Sequence, residues 1–199
     1  KGLMHLCSSL QSVELPPSPR MLIIAPQPKG ISGTEAEAHL HDLQTMLKSG
    51  EALMEWGRNL RLVKDWDEFI KVLPEFEPHL IYYYGHGIAN EHRSALVFAD
   101  AQKRRIDVPL VDFSQCINKL NPAPLLVYVN CCQGDAAGYL GAGRQLNIPA
   151  VVSNRTKAII PAARVQALAF WENVILKGQV PHHALLQVYV RTAELKLSH

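Results

Sequence analysis

Short apolar runs alternate with amphipathic stretches along most of this chain, and the alternation predicts its elements. Residues 21–25, MLIIA, form an apolar run closed by Pro26, the pattern of a buried strand. GTEAEAHLHDLQTMLKSG (33–50) has helical spacing. Thr34 is placed to cap it, Glu35 and Glu37 suit the first turn, Gly50 suits the end, and Leu40, Leu43 and Leu47 share one face. NLRLVKDW (59–66) reads as a strand, and DEFIKVLPEF (67–76) as a helix stopped near Pro74. HLIYYYG (79–85) is a β-branched and aromatic strand. SALVFADAQKRRIDVPL (94–110) reads as a hairpin, VDFSQCINKLN (111–121) as a short helix, and APLLVYVN (123–130) as a strand. AAGYLGAGRQLN (136–147) is expected to be helical despite its glycines, and IPAVVSN (148–154) to be a strand. PAARVQALAFWENVILKG (161–178) is a helix with Pro at its start and Gly at its end, and residues 180–198 form a last helix.

Strands and helices joined by short connections predict an α/β fold: a three-layer α/β/α sandwich around a mostly parallel sheet. The domain is expected to run from residue 21 to 199. Residues 1–20 end in ELPPSPR, whose prolines exclude helix and central strand, so this segment is expected to be a linker or surface strap.

Composition narrows the function. The 199 residues carry a net charge of +2, with no basic stripe for nucleic acid. No apolar run approaches the roughly 18 residues of a membrane span, and residues 1–20 lack the pattern of a signal peptide. Four unevenly placed cysteines do not make a disulfide framework. They are read as reduced, which points to the cytoplasm.

Ligands of open parallel sheets bind at the carboxyl ends of strands. Two predicted strand ends carry reactive residues: YYYGHG (82–87) and VYVNCCQG (127–134). A histidine after a strand is commonly structural, but Gly85 and Gly87 clear the space around His86 and leave the Gly87 N–H able to meet a ligand. Strand alternation sends Cys131 and Cys132 to opposite sides. Cys131 suits packing. Cys132 stands where the chain turns, and a histidine at a neighbouring strand end could activate it. Adjacent cysteines, His39-x-His41 and His182-His183 do not have zinc-ligand spacing, so no metal is expected. There is no G-x-S-x-G and no phosphate loop, and GAGRQL (141–146) lacks the third glycine of a dinucleotide loop. No cofactor is expected.

His86 lies 46 residues before Cys132. Caspases carry Gln-Ala-Cys-(Arg/Gln/Gly)-Gly with a histidine roughly 50 residues upstream. Here Cys132-Gln133-Gly134 fits and Asn130-Cys131 does not. In order and spacing, LIYYYGHG, LLVYVNCCQGD, GTEAEAHLHDL and the stretch from Leu140 to Gln179 resemble the CHAT domains, caspase-like cysteine peptidases of clan CD, over residues 21–196. The resemblance implies a caspase-like fold and a cysteine endopeptidase. Cys132 would be the nucleophile, His86 the base, and the N–H groups of Gly87 and Cys132 the oxyanion hole. It implies a protein substrate, control by a sensor domain or partner protein, and a setting in prokaryotic defence, CRISPR-linked systems included. Asn130 occupies the position where caspases have Gln and metacaspases Asp, so it is a candidate substrate-binding residue, with Asp135 and Arg155 beside it. The short segment between Cys132 and the next strand predicts no internal maturation cut. Two other readings stay open: a catalytically silent caspase-like scaffold, and a nucleotide-binding module.

Overall fold

The computed structural model describes residues 3–7, 14–31, 33–48, 54–90, 93–131, 146–154 and 160–197. The chain builds a six-stranded sheet from β1 (Leu3–Cys7), β2 (Met21–Ile24), β3 (Leu60–Val63), β4 (Leu80–Gly85), β8 (Leu126–Cys131) and β9 (Ala150–Asn154). The strand order is β1-β9-β8-β4-β2-β3. Five strands are mutually parallel, and only β1 runs antiparallel, along the edge of β9. A second sheet of β5 (Gly87–Asn90), β6 (Arg93–Ala99) and β7 (Arg105–Pro109) is antiparallel.

The helices are α1 (Ala36–Lys48), α2 (Trp66–Phe76), α3 (Leu110–Asn118), α4 (Ile160–Trp171), which runs on into a π-turn at Glu172–Leu176, and α5 (Pro181–Leu197). Strand alternation sorts the central sheet into two faces. Ile23, Tyr82, Tyr84, Tyr128 and Val152 point to one side, where α1, α4 and α5 pack around Phe170 and Trp171. Ile24, Ile81, Tyr83, Val129 and Cys131 point to the other, against Phe69 of α2, Phe98 of β6 and Phe113 of α3. The molecule is thus an α/β sandwich with a mostly parallel sheet. Among the described residues no helix is long and apolar enough to cross a membrane.

Three expectations are corrected. Residues 3–7 are an edge strand rather than part of a linker or strap, while residues 14–20 do run without helix or strand. Thr34 does not cap α1: the helix begins at Ala36, and the buried Thr34 hydroxyl has no hydrogen-bond partner among the described residues. Helix α2 ends near Pro74 as expected, at Phe76, and the Glu77 N–H donates to the Leu73 carbonyl. Proline deletes only the bond to Ile70, which lies on the exposed side of the helix. Beyond Trp171 the ladder widens because the Asn173 amide donates to the Ala169 carbonyl at 2.7 Å, competing with the backbone for that acceptor. The Lys177 N–H then reaches back to Glu172. The expected helix at 136–147 lies almost wholly outside the described residues.

Candidate active site

Setting β1 aside, the central strands run in the order β3-β2-β4-β8-β9. The chain leaves β2 toward one side, for β3, and returns to the other, for β4. The two connections part between β2 and β4, and such a switch point opens a crevice at the carboxyl ends of those strands. A cleft of about 280 Å³ lies there. Pro26 and Gln27 line it from the end of β2, Thr34, Glu35 and Glu37 from the start of α1, and His86 from the end of β4.

His86 is held by its backbone. Its carbonyl accepts the Val97 N–H at 2.9 Å and lies 2.7 Å from the Tyr83 hydroxyl. That hydroxyl also lies 2.8 Å from the Val97 carbonyl, so one proton is shared between β6 and the His86 turn. Tyr83 is fully buried, with its ring against Phe98. Gly85 is required by this arrangement: a Cβ there would stand 2.7 Å from Tyr83 Oη and 2.9 Å from Cζ. Gly85→Ala is therefore expected to destabilise the fold by about 1–3 kcal/mol, the usual cost of overpacking a core. Urea unfolding measures it, and a midpoint equal to wild type would show that the Tyr83 ring can yield.

The predicted oxyanion donor Gly87 opens β5 and pairs with Leu96. Because the Val97 N–H bonds to the His86 carbonyl, Gly87–Leu96 is a non-hydrogen-bonded pair of the ladder, and the Gly87 N–H faces away from β6. Sequence patterning did not foresee β5 itself.

Strand β8 runs beside β4 in register, with Asn130 opposite Tyr84 and Cys131 opposite Gly85. Cys131 is buried among Val129, Ile148 and Val151, the packing role expected of it. Asn130 is 2% exposed, and its amide is engaged inside the protein. Its Nδ2 donates to Tyr82 Oη at 3.1 Å and to the Ala163 carbonyl at 3.2 Å, and its Oδ1 accepts from Asn154 Nδ2 at 2.5 Å. Cys132, Asp135 and Arg155 lie outside the described residues. Among the candidates, the structure brings His86 and Gly87 to the end of β4 and Asn130 to the strand beside it.

Sequence reasoning missed three polar residues under this site. His39 of α1 is fully buried, with Nε2 2.8 Å from Tyr82 Oη. Its ring packs against Tyr84, tilted by 33°, with centroids 4.3 Å apart. Burial, with Arg164 nearby, lowers its pKa from 6.5 to about 4, against a weak opposing pull from Asp42. Tyr82 and Asn154 complete the set. The signal was present in YYYG: alternation drives Tyr82 and Tyr84 into one layer, and a buried phenol needs a partner. Among the described residues no group of three His, Cys, Asp or Glu side chains gathers in a metal-binding arrangement. No family model matches the chain, and no curated protein matches it.

Proposed function

We propose that this domain is a caspase-like cysteine endopeptidase of CHAT type, working through a dyad of Cys132 and His86. The observation that carries the reading is the sheet register. A dyad drawn from two strand ends requires those strands to be neighbours, and Gly85 pairs with Cys131 at the ends of β4 and β8. The residues that follow them in the sequence are His86 and Cys132. Neighbouring strands lie about 4.8 Å apart, a spacing that side chains at their ends can bridge with a hydrogen bond.

In the proposed cycle His86 takes the Cys132 proton, and the thiolate attacks the scissile carbonyl carbon. The Gly87 N–H, turned away from β6, and the Cys132 N–H stabilise the oxyanion. One such donor is worth about 3 kcal/mol of barrier. Protonated His86 gives its proton to the leaving amine as the C–N bond breaks and a thioester remains. His86 then deprotonates a water, which attacks the thioester and releases the thiol and the carboxylic acid. Substrate enters along the switch-point cleft. The reading extends, with the family resemblance, to a cytoplasmic domain without an internal maturation cut. A sensor domain or partner protein would control it, in a defence system of the CRISPR-linked kind.

The test is alkylation followed by peptide mapping. Cys131 is buried, and burial raises the pKa of half-buried Cys116, so both are slow internal standards. Iodoacetamide is expected to label Cys132 at least about tenfold faster than Cys116 at neutral pH, as a paired thiolate should. Labelling at Cys132 no faster than at Cys116 overturns the dyad and leaves a caspase-like interaction module.

A further inference from the structure

We propose that the buried side chains Asn154, Asn130, Tyr82 and His39 form a positioning network that holds the carboxyl end of β8, the strand that leads into Cys132, in one rotation. Its functional consequence rests on the peptidase reading. The four residues come from β9, β8, β4 and α1, and none is more than 3% exposed. The bonds have a direction. Asn154 Nδ2 donates to Asn130 Oδ1, and Asn130 Nδ2 divides its two hydrogens between Tyr82 Oη and the Ala163 carbonyl of α4. Tyr82 Oη, which accepts from Asn130, also lies 2.8 Å from His39 Nε2; a Tyr82 proton given to Nε2 requires the neutral tautomer protonated at Nδ1, an atom with no hydrogen-bond partner among the described residues. Both Asn130 amide hydrogens and its oxygen are then committed. The residue cannot turn toward a substrate without breaking three buried bonds.

The position of this amide matters. Strand β8 is otherwise apolar or aromatic as far as Val129, and changes to Asn two residues before Cys132. An aliphatic side chain there would fill the layer, whereas a fully bonded amide holds the strand end in one rotation. A second leg reaches the cleft itself. Tyr84 lies opposite Asn130, and its hydroxyl donates at 2.8 Å to the carbonyl of Thr34, a cleft residue, while its ring packs against His39. The end of the cysteine-bearing strand and the wall of the cleft are thereby tied to one set of side chains. Asn130, the residue expected to contact substrate, acts instead through the chain that follows it.

Tyr82→Phe removes the central hydroxyl and nothing else. Its control is Tyr128→Phe: Tyr128 is a buried ring of the same layer whose hydroxyl has no hydrogen-bond partner among the described residues. Tyr82→Phe is expected to lower kcat about tenfold with KM within about twofold, a modest misplacement of reacting groups. Iodoacetamide labelling of Cys132 should change by about fivefold or more, with Cys116 unaffected. Tyr128→Phe should match wild type in both readouts. His39→Gln, which keeps an acceptor for the Tyr82 proton, should retain more activity than His39→Leu. If Tyr82→Phe alters only the melting temperature, with kcat and Cys132 labelling as in Tyr128→Phe, the network is structural and the proposal falls. Should wild type neither cleave peptide nor label preferentially at Cys132, the peptidase reading fails by itself. The Cys132 labelling of Tyr82→Phe relative to wild type then decides the network alone, a change supporting it and equality overturning it.

Discussion

Replacing Cys132 by alanine is expected to reduce peptide cleavage to background, and His86→Ala to lower kcat by about 10²–10⁴-fold, the range that general acid–base catalysis contributes. KM should move little in His86→Ala, because the imidazole acts on protons that move only during the chemical steps. The double variant should be no slower than Cys132→Ala. Two groups that act as one unit lose their function once, and the second substitution has nothing left to remove. His86→Ala should remain folded, since the backbone bonds from Val97 and Tyr83 to residue 86 survive the change. The measurement is single-turnover kinetics on a peptide selected from a library digest, with melting temperatures taken in parallel. Cleavage by Cys132→Ala at the wild-type rate would sink the assignment. A His86→Ala enzyme within about threefold of wild type would leave a lone nucleophile and remove the base from the mechanism.

The sheet was legible because its strands are buried on both faces and therefore read as continuous apolar runs. MLII, LIYYYG and LVYVNC could hardly be anything else, and each became a parallel strand. β1 was not legible: an edge strand at residues 3–7 needs only one neighbour, and its pattern was overshadowed by the prolines that follow it. β5 was missed for a related reason. GIAN has a glycine and an asparagine at its ends, and only the pairing of Gly87 with Leu96 makes it a strand. That β4 and β8 would both carry reactive residues at their ends could be read from motif order, but the register of Gly85 with Cys131 is a tertiary fact. Asn130 shows the limit most clearly. Its spacing from Cys132 was readable, but the direction of its side chain depends on partners at positions 82, 154 and 163, which no local pattern announces.

Acid is expected to weaken this protein through His39 by about 3 kcal/mol, since every tenfold loss of proton affinity on folding is worth about 1.4 kcal/mol. The ring's pKa falls from 6.5 to about 4 because burial disfavours the imidazolium, and the Arg164 charge adds to the effect. Asp42 faces the same region and opposes it weakly, and Tyr82 and Tyr84 of β4 are neutral neighbours. Above pH 6.5 neither the folded nor the unfolded chain protonates His39, and its full contribution is present. As pH falls from 6.5 toward 4 the unfolded chain takes up the proton and the folded one resists, so the unfolded state binds more protons and stability drops. Below about 4 the folded ring is protonated as well, and the loss levels off. Protonation at Nε2 would also remove the acceptor for the Tyr82 hydroxyl, so the same titration dismantles the network from its α1 end. The difference between wild type and His39→Gln isolates this residue. His79, whose pKa burial also lowers, and the carboxylates contribute alike to both proteins and cancel. Urea unfolding at pH 7, 5.5 and 4.5 should show wild type losing stability faster than His39→Gln across that window, with the gap between them changing by roughly 2–3 kcal/mol. Parallel pH profiles for the two proteins would mean that folding exerts no preference between the charged and neutral imidazole. The buried, neutral His39 on which the directed bonds depend would then be wrong.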